Sequence, residues 1–246
     1  MGGDPNLESS YKIVAATIKG GADMVELGVP FSDPIADGRT IQAAGNRALL
    51  SRTKPRDVIR LAQLIKKDYH VPVILMTYYN ILFANGVDRM LDEMRRAEVD
   101  GIIVPDLPLE ESVELKRLTR KKLIDLILLA APTTSPVRLV KIANSTSGFL
   151  YLVSVTGITG ARPNVKKSSL NFVSRAKGLV KGKVPIAVGF GVSEPEHVRS
   201  FIKAGADGVV VGSAIVDRVS ALNGNSIMYD EIERFVSLLK SATKIN

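Results

Sequence analysis

The chain has no cysteine, which excludes disulfides, thiolate metal sites and a cysteine nucleophile. Histidine is almost as scarce. His70 and His197 are the only two, and neither has a second histidine or a cysteine near it at a metal-ligand spacing. Long apolar runs are missing too: the longest uncharged stretch, 71–87, contains Pro72, Tyr78, Tyr79 and Asn80 and falls short of the ~20 apolar residues of a spanning helix. The first residues carry Asp4 and Glu8 in place of a basic segment followed by an apolar one, so no signal peptide is expected. The net charge is +8, yet no basic block is interleaved with aromatics. Pairs such as Arg95-Arg96 and Lys116-Arg117 stand among acidic residues on helix-like stretches, which speaks against nucleic acid and for a solvated surface that helps attract an anion. The expected location is the cytosol, with no membrane partner.

What is present fits one large soluble domain. At 246 residues and 46% hydrophobic, the chain is long enough to bury a sizeable core, and α/β barrels commonly reach about 250 residues as a single unit. Apolar, β-branched runs at Asp23–Gly28, Val73–Tyr78, Gly101–Val104, Leu126–Ala130, Phe149–Ser154, Ile186–Gly189 and Gly208–Val211 read as strands. Charged periodic segments read as helices at Asn6–Lys19, Pro55–Asp68, Asp88–Arg96, Glu110–Lys121, Pro136–Ile142, Ser168–Lys177, Glu194–Lys203 and Tyr229–Lys240. Near-continuous apolar strands alternating with helices predict a parallel sheet covered on both faces and right-handed crossovers. The turn Gly21-Ala22-Asp23 returns as Val99-Asp100-Gly101 and Gly205-Ala206-Asp207-Gly208, each leading a helix end into a strand. These aspartates belong on the N-terminal rim of a barrel and are expected to be structural. The fold class expected is α/β, a (β/α)8 barrel apparently lacking its first strand, because seven strands are visible and the chain moves from Met1-Gly2-Gly3-Asp4-Pro5 directly into a helix.

Active residues of such barrels lie at the C-terminal strand ends and in the loops that follow. In Asp23-Met24-Val25-Glu26-Leu27-Gly28 a two-residue period puts Met24, Glu26 and Gly28 on one face. If Val25 and Leu27 pack on helices, Glu26 points into the barrel, where burial without a partner raises a carboxyl toward neutrality. A hydrogen-bonded core glutamate is the alternative. The next loop, Pro30-Phe31-Ser32-Asp33-Pro34-Ile35-Ala36-Asp37-Gly38, is stiffened by two prolines. Its aspartates are either ordinary turn formers or a means of delivering one carboxylate over the mouth beside Glu26. Three glycine-bearing strand ends speak for phosphate: Gly157-Ile158-Thr159-Gly160, Gly189-Phe190-Gly191 with Ser193 and Glu196 at capping-box spacing, and Val211-Gly212-Ser213. Each alone is a common turn. Together, at the last three strand ends of one barrel, they point to a phosphorylated ligand.

The segment Val25–Gly38 resembles the signature of the tryptophan synthase alpha chain family. The resemblance extends through Leu75-Met76-Thr77-Tyr78-Tyr79-Asn80, Val104-Pro105-Asp106-Leu107-Pro108, Tyr151-Leu152-Val153-Ser154, Gly157–Gly160 and Gly189–Gly191. It implies a lyase that cleaves indole-3-glycerol phosphate, by a retro-aldol route, to indole and glyceraldehyde 3-phosphate. It implies Glu26 as the acid–base group and Asp37 as the carboxylate on the indole N–H. Asp106 is the supporting aspartate, and Thr159 a loop threonine that bonds Asp37. It places phosphate around Gly160, Gly191, Gly212 and Ser213, and indole among Ile41, Met76, Ile103, Leu129, Tyr151 and Phe190. No cofactor is implied in this chain. The implied partner is a beta chain carrying pyridoxal phosphate, in an alpha2beta2 tetramer.

Two departures from the family pattern stand out. Arg39 replaces a proline common after Asp-Gly, and the strand expected ahead of Gly3-Asp4-Pro5, with its indole-contacting aromatic, is not in this sequence. The open seam predicts lowered stability and weak or no cleavage. Two other readings stay open: a subunit that mainly binds and activates a beta chain, and a different phosphate-binding barrel isomerase.

Overall fold

The computed structural model describes residues 1–153, 165–189, 191–222, 225 and 227–244. Its strands are β1 (Val25–Gly28), β2 (Val73–Met76), β3 (Gly101–Ile103), β4 (Asp125–Ile127), β5 (Leu129–Ala130), β6 (Leu150–Val153), β7 (Ile186–Gly189) and β8 (Gly208–Val209). The helices are α1 (Leu7–Lys19), α2 (Arg39–Leu50), α3 (Pro55–Asp68), α4 (Tyr79–Asn85), α5 (Val87–Arg96), α6 (Val113–Lys121), α7 (Pro136–Ser145), α8 (Lys167–Val180), α9 (Pro195–Lys203), α10 (Ser213–Leu222) and α11 (Met228–Ser241). All ladders are parallel, in the orders β1-β2-β3-β4 and β5-β6-β7-β8. β4 and β5 are two halves of one apolar run flanking Leu128, whose carbonyl accepts the Tyr151 N–H at 3.1 Å, so the sheet is continuous.

The ladder therefore has seven strand positions. Among the described residues none precedes α1 and no ladder joins β1 to β8. The seam is spanned by helix packing instead, α1 on α11 and α2 on α10.

Strand alternation divides the core into two layers. Val25, Leu27, Val73, Leu75, Ile102, Leu126, Leu150, Leu152, Ile186 and Val188 face the helices. Ile74, Ile103, Ile127, Phe149 and Tyr151 form a separate inner cluster, with Met76, Leu129, Val153, Ala187 and Val210 packed on it.

Helix starts follow local chemistry. Asn6 caps α1 by accepting the Ser9 N–H, Ser135 caps α7 through the Arg138 N–H, and prolines open α3, α7 and α9. The capping box expected from Ser193 and Glu196 does not form. α9 begins later, at Pro195, and the Ser193 hydroxyl is buried without a hydrogen-bond partner among the described residues.

The rim aspartates are structural, and they repeat one device. Asp100 accepts the Val73 N–H at 2.7 Å and pairs with Lys66 at 2.9 Å, while Asp207 accepts the Ile186 N–H at 2.9 Å and pairs with Lys177 at 2.7 Å. Each ties the start of one strand to the helix that leads into it. Asp23 pairs with Lys240 of α11 across the seam at 2.5 Å. Replacing Asp207 with alanine leaves the Ile186 N–H without its acceptor. Denaturant unfolding should show a loss of about 1–2 kcal/mol, with turnover per folded molecule unchanged.

Candidate active site

Glu26 lies mid-strand on β1, in register with Ile74 of the inner cluster. Its neighbours Val25 and Leu27 are buried toward the helices, so its side chain faces the barrel interior. Burial pushes its carboxyl up to about 7; the chain's amino-terminal charge opposes this and the charge of Asp37 adds to it. The loop between β1 and α2 separates its two aspartates. Asp33 is exposed and accepts from the Ser32 hydroxyl, whereas Asp37 is half-buried and has its pKa raised, chiefly by burial, with a hydrogen bond from Tyr78 acting against the rise.

Tyr78, which the sequence reading left without a role, anchors this loop. It is buried, stacks on Phe31 with ring centroids 5.2 Å apart, and its hydroxyl accepts the Ala36 N–H at 3.0 Å. Burial first, and then the nearby charges of Asp37 and Asp106, push its phenol up to about 12. Gln42 donates to the Asp37 carbonyl at 2.9 Å from the other side. Asp106 accepts the Tyr79 N–H at 2.9 Å at the start of α4, so it holds the backbone next to Tyr78 and acts on Asp37 one step removed. No signal in the sequence distinguishes that role, because it runs through a backbone N–H.

Met76, Ile103, Leu129 and Tyr151, four of the residues expected to receive the ring, lie in or against the inner cluster. Ile41 is half-buried on α2 and belongs to neither cluster. Tyr151 is buried, which together with the Glu26 charge raises its phenol pKa well above the usual range. Its hydroxyl fits under Gly189 only because that residue has no side chain: a Cβ there would stand 2.7 Å from the Tyr151 oxygen.

On the opposite side of the mouth, Gly191 and Gly212 are exposed, and a Cβ at either would meet nothing within 4 Å. Gly191 has φ +69°. Gly212 leads into Ser213, the first residue of α10; the Ser213 and Ala214 N–H groups precede the first bonds of that turn, which Ile215 and Val216 make to the Gly212 carbonyl. This is open space lined by backbone donors, suited to an anion. Thr159, Gly160 and Phe190 lie outside the described residues. A cavity of about 440 Å³ opens beside this mouth, lined among others by Asp106, Leu109, Leu129, Ala131, Arg138 and Val153; neither Glu26 nor Asp37 lines it.

A family model described as tryptophan synthase alpha chain matches residues 1–244. This chain belongs to that family. A curated tryptophan synthase alpha chain of Methanoregula boonei is 45% identical over 99% of this chain and 92% of its own length, and one of Prochlorococcus marinus is 48% identical over 90% and 80%. Among solved structures, the Pyrococcus furiosus tryptophan synthase alpha subunit superposes with TM-score 0.90 at 39% identity over 97% of this chain and 94% of that one. A structure described as bearing on mutual activation of the Pyrococcus furiosus a2b2 complex gives TM-score 0.91 at 40% identity, covering 98% and 95%. With the family come the TIM-barrel fold and the alpha reaction of tryptophan biosynthesis: the chain is a lyase that cleaves indole-3-glycerol phosphate.

Two outcomes follow from this geometry. A Gly189→Ala chain must push the Tyr151 ring from its place beside Glu26; about 1–3 kcal/mol of overpacking is expected in denaturant melts, together with loss of cleavage. Glu26 titrates near 7 when folded and in the ordinary carboxylate range when unfolded. Between those values the folded chain keeps a proton that the unfolded chain releases, so stability falls as pH rises toward 7 and stays low above it. Glu26→Gln should therefore be more stable than the parent at pH 8 by roughly 3 kcal/mol, with the gap closing near pH 4. Unfolding curves at the two pH values measure this directly.

Proposed function

We propose that Glu26 and Asp37 carry the lyase chemistry in one barrel domain spanning residues 1–246. The observation that carries this reading is a carboxyl of about 7 facing the apolar barrel interior, close enough to Asp37 to feel its charge. Such a group both gives and takes protons near neutral pH. The carbon of the indole ring that bears the glycerol chain leaves with the bonding electron pair only after the ring has become an electron sink. Glu26 in its acid form gives its proton to that carbon, which makes the cationic indolenine, and Asp37 stabilises the charge through the ring N–H. The Glu26 carboxylate so formed then takes the proton of the hydroxyl on the adjacent chain carbon. The C–O bond becomes a carbonyl, the C–C bond breaks, and its electrons restore the indole ring. Tyr78 and Asp106 hold Asp37 in place. Met76, Ile103, Leu129, Tyr151, Ile41 and Phe190 receive the ring, Gly191, Gly212, Ser213 and Gly160 receive the phosphate, and Thr159 bonds Asp37.

The chemistry as written uses no cofactor in this chain. We assign pyridoxal phosphate to a beta chain that joins this one in an alpha2beta2 tetramer, as the a2b2 complex of the Pyrococcus furiosus relative suggests. Ile35, in the loop carrying Asp37, and Phe83, on α4, are exposed apolar residues suited to such a partner. No described helix is long and apolar enough to cross a membrane, and we place the enzyme in the cytoplasm. The same exposed pair, Ile35 and Phe83, favours a second reading, in which the chain mainly binds and activates its partner. Indole release assayed with and without a beta chain separates the two: cleavage that appears only with the partner supports the second.

Release of glyceraldehyde 3-phosphate, followed by a coupled assay, should fall by about 10²–10⁴-fold in both Glu26→Gln and Asp37→Asn. Parental turnover by the Glu26→Gln chain would overturn the assignment.

A further inference from the structure

One buried histidine has no part in the cleavage. His197 stands in the first turn of α9, only 5% exposed, and its Nε2 has no hydrogen-bond partner among the described residues. Four residues earlier the Ser193 hydroxyl is buried and unpaired as well. Two orphaned polar atoms at one helix start cost stability, and an apolar residue at position 197 would remove one of them. The bond that His197 does make is at its other nitrogen, where Nδ1 accepts the Ser193 N–H at 3.4 Å. An acceptor at Nδ1 puts the ring proton on Nε2, the orphaned atom. Glu194, at the N-cap, makes no side-chain bond to the helix, and the imidazole grips the incoming chain from inside the first turn instead. Gly191 lies two residues before Ser193, exposed and at φ +69°. Behind it the ladder fixes Gly189 against Val153; ahead of it Val192 is buried and His197 holds Ser193.

We propose that His197 is a positioning residue for the phosphate: through the Ser193 N–H it fixes the backbone that presents Gly191 to the anion. The proposal rests on the reading that phosphate sits at Gly191. Glycine leaves its backbone free to take many shapes, so a cradle of N–H groups binds best when something holds it before the ligand arrives. Without the bond to Nδ1, the phosphate end of the substrate would have to order the loop itself. Phosphate is held alike before and during the cleavage of a bond at the other end of the substrate. The loss therefore falls on KM and not on kcat. The indole end does not read it.

His197→Leu and His197→Asn test this as a pair. The two replacements are close in size and both lose the far half of the ring, but only asparagine keeps an acceptor, Oδ1, where Nδ1 stood. In calorimetric titrations His197→Leu should bind glycerol 3-phosphate about tenfold more weakly than the parent, and His197→Asn within about threefold of it. Indole should bind all three chains alike. In steady-state cleavage the KM of His197→Leu should rise about tenfold with kcat within about twofold of the parent. Should His197→Leu fail to fold, His197→Phe fills the place of the ring without an acceptor and carries the same expectation. Parental affinity of His197→Leu for glycerol 3-phosphate overturns the proposal. So does equal weakening in the leucine and asparagine chains, which would trace the effect to lost volume, and so does a parallel loss of indole binding or a fall in kcat alone. Gly191→Ala separates this from the placement of the phosphate, because its Cβ strains a backbone at φ +69°. Parental glycerol 3-phosphate binding by Gly191→Ala would sink that placement, and this proposal with it. Weakening by Gly191→Ala but not by His197→Leu would overturn the part given to His197 and leave the placement standing.

Discussion

Glu26 holds a carboxyl group against the inner layer of a parallel barrel, and the rest of the site is arranged around that cost. Strand alternation leaves it no alternative: with Val25 and Leu27 committed to the helices, residue 26 must face Ile74 and its neighbours. Desolvation there disfavours the ionised form, which is the same physics that gives an acid–base catalyst a proton affinity matched to neutral pH. Stability and reactivity are two readings of one displaced equilibrium. A residue chosen for folding alone would be apolar, like Ile74 in register beside it.

The second carboxylate is placed by different means. Asp37 sits on a loop, and loops are precise only where something rigid grips them. Here the grip comes from the neighbouring strand: Asp106 fixes the first N–H of α4, α4 fixes Tyr78, and Tyr78 holds Ala36 and Asp37 while packing on Phe31. Truncating Tyr78 therefore acts on the position of the loop more than on the chemistry of its acid.

Much of this was legible in the sequence because it follows from period and composition. Ile186–Gly189 and Pro55–Asp68 fall where the runs place them, and the inward aim of Glu26 follows from counting by two. α2, α4 and α10 were not legible. α4 has seven residues and too little length for a period, α2 carries Gly45 and Asn46 within small polar residues, and the apolar opening of α10 mimics the end of a strand. The supposed capping box at Ser193 failed because Pro195 supplies a stronger helix start two residues later. Interactions between distant segments were invisible for a plainer reason. Nothing about Asp4 and Arg47, 43 positions apart, marks them as partners, and Gly189 shows its need for a missing side chain only once Tyr151 lies beneath it.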